Sequence, residues 1–246
     1  MLNKKIWIIE LGGIIMNIKI LHMIEGAKQA TGVAVIIDVF RAFTVEAYLM
    51  NNGAEKIIPV GDKEIAYKYK EENPETILIG ERHGKILPGF NYGNSPSQLE
   101  NIKFDGKVIV HTTSAGTQGI ANAKNAKEIL TGSLVNAKAI AQYIKKNNYE
   151  DVSLVCMGLE AVSETEEDNL CAYYIKSLLE DNPIELESEI EKLKITSGVK
   201  FFDKEQQEVF PEKDFYLSTE VDKFNFVLKL EKDDELGLDY ITKIDI

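Results

Sequence analysis

Arginine is scarce in this sequence: Arg41 and Arg82 are the only arginines among its 28 basic residues, and lysine fills every other basic position. In a chain with this bias, arginine is expected only at positions whose role a lysine could not perform. The planar guanidinium holds a carboxylate or phosphate through two parallel hydrogen bonds, which the point charge of lysine cannot do. We therefore predict that both arginines act on an anion at a catalytic site. A structural ion pair is the competing interpretation, above all for Arg82 beside Glu81.

Positive charge as a whole is also in short supply. The chain has 40 acidic residues against 28 basic ones, which gives a net charge of −12. Nucleic-acid binding needs clustered lysine and arginine, whereas the basic residues here are scattered among acids, so we exclude a nucleic-acid partner. A small anionic substrate would need positive charge supplied locally, and a divalent metal ion is the obvious source.

Cysteines and long apolar runs are few. Cys156 and Cys171 have neither a metal-ligand spacing nor a disulfide framework, which favours a reducing cytoplasm. The apolar run 6–9 is interrupted by Glu10, and no small-residue cleavage site follows. We therefore predict neither a signal peptide nor a transmembrane helix, and no membrane partner. The sequence leaves the oligomeric state open, with a homo-oligomer as one alternative.

The domain organisation follows from length and pattern. With 246 residues, 44% of them apolar, the chain can build one large α/β domain with a full core. Met16–Leu21 resembles a second start of the protein, followed by an edge strand of its own. Residues 1–16 are therefore either an N-terminal extension or the result of a misassigned start. We expect residues 17–246 to form a single domain. The pattern weakens from about residue 181, and we expect no catalytic group beyond that point.

The stretch that organises the chain is Val33–Ile37, an uninterrupted run of apolar and mostly β-branched residues. Such a run predicts a central strand covered on both faces. Asp38 and Arg41 follow directly and then a helical pattern to Met50, so both polar residues stand at the carboxyl end of the strand. Open α/β sheets bind their ligands at that end, which makes Asp38 and Arg41 candidate catalytic residues.

A second candidate region follows the strand predicted at 76–79. Residues 80–96 contain four glycines and two prolines without apolar periodicity, which predicts a long ordered loop. Loops of this length in compact domains are usually functional. Glu81 and Arg82 open it. Asn94 and Ser95 near its end either bind an anion or begin the helix predicted from Ser97.

Hydroxyl groups cluster after the strand predicted at 107–111. Thr112, Thr113, Ser114 and Thr117 surround Gly116 between that strand and a helix predicted from Thr117 to about residue 126. Hydroxyls and backbone N–H groups at a helix start can bind a phosphate or sulfonate. The Gly-Lys-Ser/Thr ending of a P-loop is missing. We predict an anion site, and an ordinary helix cap is the alternative.

A further acidic turn follows the strand predicted at 152–156. Ser163 and Glu166 have the spacing of a capping box, and Asp168 precedes a small-apolar face, so we expect its carboxylate to point inward. The alternative is that acids are simply favoured at a helix N-terminus. Near the end of the chain, the segment 224–230 predicts a strand that packs on the main sheet.

Four segments together resemble a known family: Ile36–Ala42, Gly80–Gly84 with Gly93–Pro96, Thr112–Thr117 and Glu167–Ala172. Their order and spacing are those of the 2-phosphosulfolactate phosphatase family, ComB, and the resemblance covers about residues 17–180. It implies a layered α/β/α fold of the ComB type with a largely parallel or mixed central sheet. It also implies a Mg²⁺-dependent phosphatase that converts 2-phospho-3-sulfolactate to 3-sulfolactate and phosphate in coenzyme M biosynthesis.

The resemblance and the residues both indicate that the site must supply positive charge, because the implied substrate carries a phosphate, a sulfonate and a carboxylate. Arg41, Arg82, one Mg²⁺ ion and a helix N-terminus would supply the positive charge. We hypothesise that Asp38, Glu81 and Asp168 bind the Mg²⁺ ion. Two positions depart from the family: Ala115 and Gln118 stand where many members carry Asn and Arg. The roles that Asn and Arg have in those members therefore cannot be assigned to Ala115 and Gln118.

The role of Asp38 has two alternatives, metal ligand and covalent nucleophile. Haloacid-dehalogenase phosphatases also place an aspartate after the first buried strand, but their second aspartate, two positions on, is Phe40 here, and we favour the ligand. The competing functions are a phosphatase for another small phosphorylated hydroxy acid and a non-catalytic anion-binding protein. A dinucleotide-binding oxidoreductase is disfavoured because no Gly-x-Gly-x-x-Gly follows the first strand. His83 beside Arg82 is a weaker candidate for a substrate contact.

Overall fold

The computed structural model describes residues 5–11, 14–233 and 237–246 and shows a mixed α/β fold. The strands are β1 (Lys5–Leu11), β2 (Ile14–His22), β3 (Val33–Ile37), β4 (Lys56–Pro59), β5 (Ile77–Arg82), β6 (Lys85–Ile86), β7 (Val108–Thr112), β8 (Glu128–Gly132), β9 (Asp151–Cys156), β10 (Phe226–Glu231) and β11 (Tyr240–Asp245). The α-helices are α1 (Met23–Gln29), α2 (Ala42–Asn51), α3 (Lys63–Glu72), α4 (Pro96–Leu99), α5 (Gly116–Asn122), α6 (Ala137–Lys146), α7 (Glu166–Leu179), α8 (Glu187–Leu193) and α9 (Glu212–Ser218).

The strands form one large sheet in the order β1-β2-β9-β3-β8-β10-β11-β4-β7-β5-β6. The predicted central strand is confirmed: β3 runs parallel to β8 on one side and to β9 on the other, with Val35 opposite Leu130 and Leu154. All five residues of β3 are fully buried. A continuous apolar run is the expected composition of a strand covered on both faces.

Helices cover both faces of the sheet, which confirms the layered fold. Successive side chains of a strand point to opposite faces. Val33, Val35 and Ile37 accordingly contribute to one core cluster, which also contains apolar residues of α6, α7, α8 and α9. Ala34 and Ile36 contribute to the second cluster, with residues of α1, α2, α4 and α5.

A C-terminal hairpin connects two parallel blocks of the sheet. The strands β2, β9, β3 and β8 form one block, and β4, β7 and β5 form the other. Between them, β10 pairs antiparallel with β8, where Leu228 lies opposite Thr131, and β11 pairs antiparallel with β4. The segment predicted at 224–230 is therefore an inner strand of the sheet, and the weakly patterned last part of the chain completes it.

The N-terminal residues add a strand. β1 pairs antiparallel with β2 over its whole length, and Trp7 contacts Tyr173 of α7 edge to face. β2 in turn pairs in parallel with β9. The prediction that the segment 16–21 is an edge strand is therefore wrong, because β1 covers its outer side.

Several local predictions also need correction. α7 begins at Glu166 with Thr165 at its N-cap, because Ser163 is held in a separate turn where its carbonyl accepts the N–H of Leu159 at 2.8 Å. The capping box predicted from Ser163 is therefore absent. The loop predicted at 80–96 begins later, because β5 extends to Arg82 and forms a short hairpin with β6. α5 ends at Asn122, earlier than predicted. No helix in the described part of the chain is long and apolar enough to span a membrane.

Candidate active site

A cavity of about 250 Å³ lies where four strands end. Asp38 follows β3, Glu81 lies near the end of β5, Thr113 follows β7, and Gly158 comes shortly after β9, and all four line the cavity. The structure thus brings seven of the predicted site residues into one wall: Asp38, Arg41, Glu81, Asn94, Thr113, Ser114 and Asp168.

Asp38 is buried and lies against the start of α5. Its Oδ1 accepts the N–H of Ala42 at 3.1 Å. A Cβ on Gly116 would lie 3.0 Å from Asp38 Oδ2, so glycine permits this close approach. Burial raises the pKa of Asp38 to about 6, and the negative charges of Glu81 and Glu167 add to this, while the N–H groups of Ala42 and Gly116 oppose it. Asp38 therefore sits in surroundings that penalise its charged form.

Asp168 and Glu167, in the first turn of α7, bring two more buried carboxylates. Asp168 accepts the N–H of Val39 on Oδ1 and that of Gly158 on Oδ2, both at 2.8 Å. Burial and the charges of Glu167 and Asp38 raise the pKa of Asp168 well above its usual value. Burial also raises the pKa of Glu167, whose Oε2 has no hydrogen-bond partner among the described residues. The negative charge of Glu167 is only partly offset, by the nearby charge of Lys200.

Glu81 joins two turns of the cavity wall. Its Oε1 accepts the N–H of Ser114 at 2.7 Å, and its Oε2 accepts the N–H of Gly84 at 2.7 Å and the hydroxyl of Ser114 at 3.2 Å. Gly84 has φ +77°, and a Cβ there would lie 2.5 Å from Phe210 Cζ. The position therefore requires glycine, both for its backbone conformation and for the ring packed on it.

Arg41 is buried and already paired. Its Nη1 donates to Asp214 Oδ2 at 2.7 Å and to the Val209 carbonyl at 2.9 Å. The other oxygen of Asp214 accepts the Ser95 hydroxyl and the Ser97 N–H, each at 2.9 Å. Ser95, which we predicted to bind substrate, is thus bonded to the carboxylate that holds Arg41. Ser95 is absent from the wall of this cavity and instead lines a neighbouring cavity of about 440 Å³, which it shares with Arg41 and Asn94.

Lys200 is the second strong cation of the wall, and sequence analysis missed it. It lies in a short 3₁₀ turn, residues 199–202, and its ammonium stands 5.2 Å from the centroid of the Phe210 ring. Burial and the nearby charge of Arg41 lower the pKa of Lys200, while Glu167 opposes the shift. No motif marks this lysine in the sequence, and it belongs to the part of the chain where we expected no catalytic group. Because Lys200 lines the cavity, the part of the chain beyond about residue 181 does contribute to the candidate site, contrary to that expectation.

Arg82 lies outside the cavity wall. Its Nη1 donates to the Glu81 carbonyl at 2.6 Å, and its Nη2 donates to the Gly61 carbonyl at 3.1 Å and to Thr112 Oγ1 at 3.0 Å. The second and third of these bonds tie β5 to the loop after β4 and to the end of β7. The structure therefore does not bring Arg82 together with Arg41, and the hydroxyl of Thr112 serves Arg82.

The start of α5 is largely occupied by its own chain. The N–H of Thr117 donates to Thr113 Oγ1 at 3.2 Å, and the N–H of Thr113 donates to Thr117 Oγ1 at 3.0 Å. The start of the helix, at Gly116, faces Asp38. Thr117 is thus bonded back to Thr113 within its own turn, and the N-cap residue of α5, Ala115, has no side-chain cap. Thr113 and Ser114 remain in the cavity wall.

Asn94 is anchored from behind by a fully buried chain of polar side chains. Its Oδ1 lies 3.3 Å from His111 Nε2, and His111 Nδ1 lies 2.9 Å from Glu46 Oε1. Glu46 Oε2 accepts the Thr131 hydroxyl at 3.1 Å. His111, Glu46 and Thr131 are inaccessible to solvent, so this network fixes Asn94 at the wall. His83 also lines the cavity but is largely exposed and contacts Glu160.

The family model described as 2-phosphosulpholactate phosphatase matches residues 19–233. The chain belongs to the 2-phosphosulpholactate phosphatase family. Its members are hydrolases of phosphoric monoesters, and the match includes every residue that lines the cavity.

Individual members of the 2-phosphosulpholactate phosphatase family align over most of the chain. A protein of Carboxydothermus hydrogenoformans named probable 2-phosphosulfolactate phosphatase is 38% identical over 172 residues, 70% of this chain and 71% of the relative. A Bacillus subtilis protein of the same name is 32% identical over 204 residues, 82% of this chain and 88% of the relative. A third, from Thermoplasma volcanium, is 32% identical over 178 residues, 72% and 82% of the two chains.

Ala115 and Gln118, the two positions where the resemblance predicts Asn and Arg, lie at the start of α5. Ala115 lines the cavity, and Gln118 donates to the Gly61 carbonyl at 2.8 Å. Gly61 is the residue whose carbonyl also accepts from Arg82. Gln118 therefore supports the same loop as Arg82.

The cavity fits a divalent cation in charge and donor type. Five carboxylates line it, Asp38, Glu81, Glu160, Glu167 and Asp168, against the two cations Arg41 and Lys200. Arg41 is already neutralised by Asp214. In the described ranges no group of three or more His, Cys, Asp or Glu side chains forms a ready metal cluster. Mg²⁺ does not require one, because it commonly binds one or two carboxylates and completes its shell with waters and substrate phosphate oxygens.

Proposed function

We propose that this protein is a Mg²⁺-dependent phosphatase that hydrolyses 2-phospho-3-sulfolactate to 3-sulfolactate and phosphate, a step of coenzyme M biosynthesis. The observation that carries the proposal is the family match across residues 19–233, which spans the whole cavity. The relatives from C. hydrogenoformans and B. subtilis carry the name of this activity. Both cysteines are free and buried, which fits the cytoplasm that the sequence predicts.

The charge of the cavity supports a metal-dependent reaction. The proposed substrate bears a phosphate, a sulfonate and a carboxylate, and the wall has more carboxylates than cations. Like charges would repel the substrate unless a cation is bound with it. Asp38, Glu81 and Asp168 would hold the Mg²⁺ ion, one or two of them directly and the remainder through water, because the described residues contain no ready group of three ligands. Glu167, with its unpartnered Oε2, adds negative charge beside them. Mg²⁺, when bound, withdraws charge from phosphoryl oxygens.

The protein side chains position the phosphoryl group and stabilise its charge. Arg41 is held rigidly by Asp214, and its Nη2 has only a long contact, 3.5 Å, to the Gly84 carbonyl. That nitrogen can donate to a phosphoryl oxygen as charge develops in the transition state. Asn94, fixed by His111, and the hydroxyl of Thr113 complete the polar wall. Hydrolysis breaks the phosphorus–oxygen ester bond, adds the oxygen of water to phosphorus, and leaves a proton on the alcohol oxygen of sulfolactate.

The experiment is phosphate release from 2-phospho-3-sulfolactate in Mg²⁺ and in EDTA, with p-nitrophenyl phosphate as a generic comparison. We expect release in Mg²⁺ alone and a strong preference for the sulfonated substrate. A second readout is thermodynamic: a ligand at 100 times its Kd stabilises a protein by about 2.7 kcal/mol. Mg²⁺ is therefore expected to raise the urea midpoint of the wild type. Release without Mg²⁺ would contradict the metal dependence, and release from p-nitrophenyl phosphate alone would contradict the substrate.

The role of Asp38 is tested by acid quenching during a single turnover of substrate labelled with ³²P in its phosphoryl group. We propose Asp38 as a metal ligand, with water as the nucleophile, so no ³²P should remain on the protein. Protein-bound ³²P in the wild type that is absent from Asp38→Asn would instead show a covalent aspartyl-phosphate intermediate.

A further inference from the structure

The two cations of the cavity differ in how their charges are compensated. Arg41 donates to Asp214 at 2.7 Å, and both side chains are buried, so its charge is balanced within the protein. Lys200 makes no direct ion pair among the described residues, although the negative charges of Glu167, Asp38 and Asp168 act on it from a distance. Its ammonium lies over the rings of Phe201 and Phe210, at 5.5 and 5.2 Å from their centroids. Lys200 is therefore the cation of the wall whose charge is still available to a ligand.

The surroundings of Lys200 favour an anion over water as its partner. The side chain is half-buried, and burial lowers the pKa of Lys200 by penalising its positive charge, although the charge of Glu167 opposes this shift. An anion placed beside the ammonium would remove that penalty and would be attracted strongly, because the aromatic rings exclude water. Phe40 and Phe210 in the same wall provide apolar surface for the carbon backbone of a ligand.

The chemistry of the ammonium distinguishes among the anionic groups of the proposed substrate. The phosphoryl group belongs with the carboxylates that would hold Mg²⁺ and with Arg41. Of the two remaining groups, a carboxylate is matched best by a planar guanidinium, whereas a lysine acts as a point charge without a preferred plane. A sulfonate presents three equivalent oxygens around sulfur and suits such a point charge.

We infer that Lys200 binds the sulfonate of the substrate and is the residue that makes the enzyme prefer a sulfonated phosphoester. This inference rests on the function proposed above and assigns its specificity to the C-terminal part of the chain. Lys200, Phe201 and Phe210 all come from the segment 199–210, between α8 and α9. The motif-bearing part of the chain supplies the phosphoryl site, and this segment supplies the subsite for the second anion.

The test compares the wild type with one substituted protein and measures kcat/KM for each with three substrates. The variant is Lys200→Met, which keeps the length and apolar stem of the side chain but removes the charge. The substrates are 2-phospho-3-sulfolactate, 2-phospholactate, which lacks the sulfonate, and O-phosphoisethionate, which keeps the sulfonate but lacks the carboxylate. Lys204→Met is the matched control, because Lys204 is exposed in the same segment and does not line the cavity.

We expect Lys200→Met to lower kcat/KM by about 10- to 100-fold with both sulfonated substrates, mainly through KM, as loss of a charged hydrogen bond predicts. With 2-phospholactate the change should stay below about threefold, since the lost partner is absent from that substrate. Lys200→Arg should recover part of the loss, and Lys204→Met should behave as wild type.

The other outcomes overturn the inference in different ways. An equal loss with all three substrates would show that Lys200 acts on the phosphate or supports the fold, and urea unfolding of the variant would separate those two. A loss with 2-phosphosulfolactate and 2-phospholactate, but not with O-phosphoisethionate, would assign Lys200 to the carboxylate. If the wild type itself releases no phosphate from the sulfonated substrate, the proposed function fails and this inference fails with it. If the wild type is active and Lys200→Met discriminates among the three substrates as the wild type does, this inference is overturned and the proposed function is not.

Discussion

Asp214 and Arg41 form a buried ion pair between residues 173 positions apart in the sequence, with Asp214 Oδ2 at 2.7 Å from Arg41 Nη1. Arg41 follows the central strand, whereas Asp214 lies in α9. The same carboxylate accepts from Ser95 and from the Ser97 backbone. One aspartate therefore fixes a catalytic candidate and the loop beside it.

Replacing Asp214 with Asn should destabilise the protein strongly. The substitution keeps the shape of the side chain but leaves Arg41 as a buried charge without its partner, a change that costs about 3–5 kcal/mol in other proteins. Urea unfolding at pH 7 measures the loss. Lys213→Met is the control, because the adjacent Lys213 is exposed, and its surface pair with Glu100 should contribute less than about 1 kcal/mol. Equal unfolding midpoints for Asp214→Asn and wild type would show that the pair does not hold Arg41.

Asp38→Asn should make the metal-free protein more stable above pH 6. Burial raises the pKa of Asp38 from 3.8 to about 6, so between these values the folded protein holds a proton that the unfolded chain has released. The free energy of unfolding therefore falls as pH rises through this window, and the full penalty remains above pH 6. Asparagine has no such penalty, so in EDTA at pH 7 the variant should gain up to about 3 kcal/mol.

The pH series also provides the control for Asp38→Asn. Below pH 4 the difference from wild type should vanish, because the carboxyl is then protonated in both states. Asp62→Asn, at the exposed N-cap of α3, should follow the wild-type curve, since asparagine also caps helices. A constant difference between Asp38→Asn and wild type from pH 4 to 8 would show that the charge of Asp38 is not penalised.

Arg82→Lys should affect stability more than substrate binding. Lysine cannot reach the Gly61 and Glu81 carbonyls and Thr112 Oγ1 together, and loss of one or two hydrogen bonds predicts a cost of about 1–2 kcal/mol. Because Arg82 lies outside the cavity wall, KM should change less than about twofold. Arg41→Lys is the matched comparison and should lower kcat/KM more than tenfold. A larger kinetic effect at Arg82 than at Arg41 would support the role that arginine scarcity first predicted.

Asn94→Asp should weaken substrate binding. The change is nearly isosteric, but it adds a carboxylate to an already acidic wall and faces an anionic substrate with a like charge. We expect KM to rise by about tenfold or more, with a smaller effect at high Mg²⁺ concentration. Asn101→Asp, an exposed position, controls for the change in net charge. An unchanged KM in Asn94→Asp would place Asn94 away from the substrate.

The fold could be predicted where its signals are local. The run 33–37 contains only apolar residues, and this pattern alone identifies a strand buried on both faces. The position of the C-terminal hairpin could not be predicted, because the pairing of Leu228 with Thr131 joins segments about one hundred residues apart. Register between such distant strands is set by packing in the whole domain and leaves no local pattern.

The site was predictable at strand ends and unpredictable elsewhere. Asp38 and Glu81 were found because the ends of buried strands are where such sheets bind ligands. Arg82 was misplaced because β5 runs through it: consecutive residues of a strand point to opposite sides, so with Glu81 facing the cavity, Arg82 must face away. Lys200 and Asp214 come from a segment without strong periodicity, and only the folded chain brings them to the wall.

The most direct test of the account is the rate of phosphate release from 2-phospho-3-sulfolactate at saturating Mg²⁺ by the wild type and by Asp38→Asn, each first shown to be folded. If the cavity around Asp38 is the phosphatase site, the wild type should turn over, and the variant should lose about 10³-fold or more in kcat/KM. A folded Asp38→Asn variant that retains turnover within tenfold of the wild type would contradict the account, because the reaction would then take place without the residue on which the site is centred.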